Sequence, residues 1–207
     1  MINEISIKGS VRTPAGHYQP ALILIGGGAA SGKSRISIEL AQLISNAVLL
    51  DKDSLFGVWV DALLYTHDRP TDRDCTVYWD CIRPLEYKCL ERLAYDHLQL
   101  GKVVVIDAPL RPELNDPGWI NRIDGACLAL GAKLIAVWVE VSPECAHQRM
   151  RQRSESRDKW KLENWNEFVR RQSYSAPCAA KLVLQNDGMQ PKSAASIIIA
   201  SLSPILI

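Results

Sequence analysis

Leu22-Ile23-Leu24-Ile25-Gly26-Gly27-Gly28-Ala29-Ala30-Ser31-Gly32-Lys33-Ser34 passes from four apolar residues into a glycine-rich turn that closes on Lys-Ser. From Gly27 it fits the pattern G-x-x-x-x-G-K-[ST]. Such a loop can wrap an anion with several backbone N–H groups pointing inward, because glycine tolerates the dihedrals and the close approach required. Ile36, Leu40, Leu43 and Ala47 then recur at helical spacing, so a helix starting near Lys33 aims its N-terminal dipole at the same anion. The stretch predicts a nucleotide loop in which Gly27, Gly28, Ala29, Ala30, Ser31, Gly32, Lys33 and Ser34 bind ATP. Lys33 bridges the β- and γ-phosphates as a catalytic cation, and Ser34 is the metal ligand for Mg²⁺.

Four more apolar runs follow: Ala47–Leu50 ending at Asp51, Val103–Ile106 ending at Asp107, Lys133–Val141, and Lys181–Leu184. Continuous rather than alternating runs suit strands buried on both faces of a parallel sheet. Helical patterns lie between them. One spans Leu85 to Leu100 with Gly101 as a stop, another Trp119 to Leu130 with Gly131, and Ser142-Pro143 reads as an N-cap with proline at the first helical position. The expected fold is therefore α/β: a three-layer P-loop NTPase with a five-stranded parallel sheet, order 2-3-1-4-5, and helices on both faces. The expected organisation is one domain over residues 1–207, with a helical acceptor-binding insert over 54–101 and a lid over 143–162.

The chain has 207 residues, 47% apolar and 23% charged, with a net charge of +1. That balance gives no global electrostatic argument for a nucleic-acid or membrane partner. The six cysteines form no C-x-x-C pair or zinc spacing and read as free thiols of a reducing compartment. Met1 to Pro20 has no uninterrupted apolar segment of signal-peptide type, and the apolar tail from Ile197 is too short to span a bilayer. A cytoplasmic location is expected.

In open parallel sheets ligands bind at the carboxyl ends of the strands. Strand two ends in Asp51-Lys52-Asp53-Ser54 and strand three in Asp107-Ala108-Pro109. A hydroxyl receiving a phosphoryl group needs a carboxylate to orient it and take its proton. Asp53 and Asp107 are the catalytic candidates, and Asp51, Asp53 and Asp107 the substrate-binding ones. The plainer use of such residues is to cap a helix or turn. After strand four, Arg149, Arg153 and Arg157 recur every four residues, so the first two share a helix face while Ala146 and Met150 turn to the core. Arginines on a lid stabilise charge on a transferring phosphoryl group. All three are assigned to the cofactor and Arg153 to catalysis. The plainer account is a solvated basic face paired with Glu155 and Asp158.

Glycine loop, strand-end Asp53-Ser54-Leu55 and arginine helix together resemble the small P-loop kinases grouped with AAA-type ATPases. That group includes chloramphenicol phosphotransferase, the zeta-toxin sugar kinases and the kinase domain of phage-type polynucleotide 5′-kinases. The resemblance runs from about Ala21 to Asp187, and only the glycine loop is highly specific. It implies that Asp53 is the general base, Asp107 an acceptor contact and Arg153 the lid arginine. Val104-Val105-Ile106-Asp107-Ala108-Pro109 and Arg157-Asp158-Lys159-Trp160-Lys161-Leu162 also look like uncharacterised bacterial ATP-binding proteins.

The insert carries Phe56, Trp59, Tyr65, Tyr78 and Trp79 together with Arg73 and Arg83. Aromatics with a few charges suit a small ring-bearing acceptor, with Arg73 and Arg83 as substrate-binding residues. In the plainer reading, Trp59, Leu63 and Leu64 are helix core. The first expectation is transfer of the γ-phosphate of ATP to a hydroxyl of a metabolite, nucleoside, sugar or antibiotic. Alternatives are a kinase acting on a nucleic-acid 5′-hydroxyl, and a nucleotide-binding regulatory ATPase.

Overall fold

The computed structural model describes residues 18–70, 72–155, 158–171 and 175–202. Its centre is one all-parallel sheet of β1 (Ala21–Gly27), β2 (Ala47–Asp51), β3 (Val103–Asp107), β4 (Lys133–Glu140) and β5 (Leu182–Gln185), ordered β2-β3-β1-β4-β5. Each strand reaches its neighbour through a crossover, and the order is the one expected from the sequence.

Period-two alternation divides the strand side chains between two cores. Leu22, Leu24, Val104, Ile106, Leu134 and Trp138 join Tyr87, Leu90, Ala94 and Leu98 of α3 (Arg83–Gln99) and Ile123 and Cys127 of α5 (Pro117–Ala129). Ile23, Ile25, Val103, Val105, Val137 and Val139 join Ile36 and Leu40 of α1 (Lys33–Leu43) and Ala194, Ala195 and Ile198 of α9 (Pro191–Ile199). β1 is buried at all seven positions, which explains why its sequence is continuous rather than alternating.

The insert begins earlier than its sequence suggests. α2 (Lys52–Thr66) springs directly from β2, with Asp51 as N-cap accepting from Ser54 N at 2.6 Å. A π-helical turn (Val77–Ile82) runs straight into α3. Pro84 has no N–H to return to the carbonyl four residues back, and its ring crowds that carbonyl, so the widened turn before it removes a conflict. Val60, Leu64, Tyr78 and Ile82 form a small separate core here. Leu64 is core as the plainer reading held, but Trp59 and Leu63 are exposed.

A four-residue helix, α4 (Arg111–Leu114), precedes α5. Beyond β4 come α6 (Pro143–Arg153), α7 (Lys159–Glu163) and α8 (Trp165–Arg171). Ser142 caps α6 by accepting from Cys145 N, and Ala146 and Met150 are fully buried. Trp165 packs on His147 and Phe168, with ring centroids 4.5 and 5.5 Å away. All six cysteines are free thiols. Among the described residues no helix is long and apolar enough to cross a membrane.

At the amino ends of the strands, Asn46 is buried and ties three segments. Its Nδ2 donates to Tyr18 O (2.7 Å) and Gly101 O (3.1 Å), and its Oδ1 accepts from Tyr18 N (3.2 Å). Asn46→Ala strands these backbone groups and is expected to cost about 2–3 kcal/mol. Urea unfolding measures the loss.

Candidate functional site

Register places the key acids. Ile25 of β1 and Asp51 of β2 both pair with Asp107 of β3, so two carboxylates end one row across the sheet, beside the loop that leaves β1. That loop turns through Ala30 at φ 58° and Gly32 at φ 88°, then enters α1 at Lys33. Left-handed residues inside such a turn make successive N–H groups converge on one side.

Asp107 is 2% exposed. Its carboxyl lies beside the Ser34 side chain and Asp51, and it feels the Lys33 charge. Burial is the largest influence and pushes its pKa up to about 6; Asp51 adds to the rise, while Lys33 and Ser34 oppose it. Asp107 Oδ2 is buried and accepts no hydrogen bond from the described residues. Asp51 caps α2, the plainer use weighed for it, and pairs in register with Asp107.

Asp53 stands in the first turn of α2, about half exposed. Its Oδ1 lies 3.0 Å from Lys52 Nζ and 3.3 Å from Arg73 Nη1. Burial works to raise its pKa, but Lys52, Arg73 and Lys33 outweigh it and hold the carboxyl below its ordinary value. Lys33 therefore acts electrostatically on both acids.

Lys52 was overlooked in the sequence and is central here. It is 2% exposed, and its Nζ also meets Glu86 Oε1 at 2.9 Å and Tyr78 OH at 3.4 Å. Burial would depress a lone lysine; Asp53, Tyr78 and Glu86 more than offset this and raise its pKa. A buried ammonium is tolerable only when paired in this way. Nothing in Asp51-Lys52-Asp53 marks the middle residue as buried; only its place directly after a strand offered a signal.

The arginines are distributed unlike their sequence assignments. Arg73 bridges Asp53 and Asp61 (3.2 Å) along α2. Arg83 holds Glu113 with both Nη atoms, at 2.6 and 2.9 Å, between the rings of Trp79 and Tyr87. Arg153 grips the fully buried Asp158 with two bonds of 2.5 and 2.8 Å, the pairing that the plainer reading of the arginine helix described. Arg149 bonds backbone carbonyls of the glycine loop rather than an acid. Arg157 lies outside the described residues.

A divalent cation fits this donor set. Among the described residues no group of three or more His, Cys, Asp or Glu side chains could cage a metal. Mg²⁺ needs no cage: it takes one or two protein oxygens and completes its shell with water and phosphate. The Ser34 hydroxyl and the unpartnered Asp107 Oδ2 are oxygens of that kind.

The profile of the AAA domain family matches residues 22–174, from β1 through the glycine loop and both strand-end acids to beyond α8. The chain belongs to the AAA domain family. No curated protein matches it significantly in sequence. Among solved structures, a candidate kinase from Chloroflexus aurantiacus superposes with a TM-score of 0.64 at 19% identity, covering 89% of this chain and 100% of that one. The Mycobacterium tuberculosis APS kinase, in complex with AMPPNP and APS, gives 0.59 at 14% identity over 88% and 97%. A sugar kinase from Janibacter gives 0.56 at 12% identity over 87% and 93%. This AAA-family chain thus has the fold of small P-loop kinases, as the resemblance implied.

The buried acid gives this AAA domain a pH signature. Folded Asp107 keeps its proton up to about pH 6, whereas the unfolded residue releases it near 3.8. Between those values the folded state binds more protons, so stability falls as pH rises. In metal- and nucleotide-free protein, Asp107→Asn is expected to be more stable than the parent by about 2–3 kcal/mol at pH 7, the difference closing toward pH 4. Chemical denaturation in EDTA at a series of pH values measures it.

Proposed function

We propose that this protein is a cytoplasmic ATP-dependent phosphotransferase that moves the γ-phosphate of ATP to a hydroxyl of a small molecule. The observation that carries this reading is the pair of unlike acids within the field of Lys33: Asp107, buried against Ser34, and Asp53, half exposed and held by Lys52 and Arg73. Two carboxylates whose surroundings push their pKa values in opposite directions suit two tasks.

In this reading the amides of Gly27–Gly32 and the Lys33 ammonium bind the phosphates. Ser34 and Asp107 would hold Mg²⁺, which would supply Lewis-acid charge to the phosphates. Asp53 orients the acceptor hydroxyl and takes its proton. Because Lys52 and Arg73 hold it ionised, it is always ready to accept, and it need not be a strong base, since phosphoryl transfer goes through a loose transition state. Residues 54–101 build the acceptor side and 143–162 the lid, on which Arg153 is the cation assigned to the developing charge. That the solved kinases of the same fold act on small molecules such as APS and a sugar supports this acceptor class. The net charge of +1 speaks for a small acceptor over a nucleic acid.

Mass spectrometry of a metabolite extract incubated with protein and ATP is expected to show a compound heavier by one phosphoryl group. Lys33→Ala should lose both ATP binding and this product. Asp53→Asn should keep ATP binding and lower transfer about 10²- to 10⁴-fold; full transfer by that variant would remove Asp53 from the role.

A further inference from the structure

A loop that turns its amides inward to a phosphate turns its carbonyls outward, and buried carbonyls need donors. Here the donors come from two residues far along the chain. Arg149 on α6 donates through Nη1 to Ala30 O (3.1 Å) and Ser31 O (3.2 Å). Asn186, one residue past β5, donates through Nδ2 to Ser31 O at 2.6 Å. The two are joined to each other, Arg149 Nη2 donating to Asn186 O at 2.5 Å, while Asn186 N is anchored on Glu140 O at 2.9 Å. Asn186 is 5% exposed and Ser31 fully buried, so water does not replace these donors. The fit is close: a Cβ on Gly32 would overlap Asn186 Nδ2 and approach Arg149 Nη1 to 3.6 Å. Gly32 is thus required by its backbone angle and by this neighbour together.

We propose that Arg149 and Asn186 are positioning residues for the nucleotide loop: a shared clamp on the Ala30 and Ser31 carbonyls that keeps the amides convergent. Arg149 then acts through the loop and not on the transferring phosphoryl group, which changes the role its place in the arginine helix implied. Its planar fork suits this task, since one guanidinium serves three carbonyls; a lysine ammonium carries the same charge without that geometry. The inference rests on Gly27–Ser34 being a nucleotide loop.

The test is calorimetric titration with MgADP and with a magnesium complex of a non-hydrolysable ATP analogue. The proteins are the parent, Arg149→Met, Arg149→Lys, Asn186→Ala and the double variant Arg149→Met with Asn186→Ala, each checked for fold by near-UV circular dichroism. Each single change is expected to weaken both ligands about tenfold or more and by the same factor, because the loop serves both. The double variant should lose less than the product of the single losses, and Arg149→Lys should behave like Arg149→Met. Loss confined to the ATP analogue, or rescue by lysine, would return Arg149 to direct contact with the γ-phosphate and overturn the proposal. Multiplicative losses would overturn the shared clamp, and unchanged affinities the whole inference. A parent protein that binds neither nucleotide would instead overturn the nucleotide reading beneath it. If the methionine and alanine variants fail to fold, the comparison of Arg149→Lys with the parent decides the matter in the same terms.

Discussion

Asp107 lies between opposed influences, the Lys33 charge and Ser34 hydroxyl on one side and the Asp51 carboxylate and its own burial on the other. The arrangement exists only because β1, β2 and β3 run parallel and end in register, so that Ile25, Asp107 and Asp51 share one row. An acid there would be prohibitively costly without a cation or donor in reach. The glycine loop supplies both, and it can do so because β1 is buried at every position and delivers Lys33 to a fixed point. Sheet order, the start of α1 and the electrostatics of the site are thus one constraint seen at three scales.

A second set of charges supports the neighbouring acid. Lys52 joins Asp53 on α2 to Glu86 on α3 and Tyr78 on the π-helical turn, so three elements of the insert meet at one ammonium. Removing Glu86 would leave the half-exposed Asp53 as the one carboxylate paired with the buried ammonium. The carboxylate on the open side of this cluster therefore has its orientation set from within the protein.

Much of this was legible in the sequence. β1, β3 and β4 were readable because strands covered on both faces are continuously apolar, and the glycine loop because its spacing is fixed. The capped start of α6 and its buried Ala146 and Met150 followed from Ser142-Pro143 and the helical period. What escaped was pairing over distance. Lys52 and Glu86 are 34 residues apart, and a lysine between two aspartates reads as surface. Arg153 with Asp158, and Arg83 with Glu113, look from sequence like cations awaiting a ligand, because a side chain's partner is fixed by tertiary packing that no local pattern encodes. Asn186 carries no signal at all, since its contact with Ser31 depends on where β5 comes to lie.

That last contact spans 155 residues. Among the described residues β5 pairs only with β4, at the edge of the sheet, and is the last of the five strands to be made. During synthesis, therefore, the glycine loop emerges early but its outer carbonyls wait until residue 186 has left the ribosome. Contacts of such long sequence separation form late and slowly. A translation product interrupted before residue 186 would contain the whole glycine motif and still lack the asparagine that braces it.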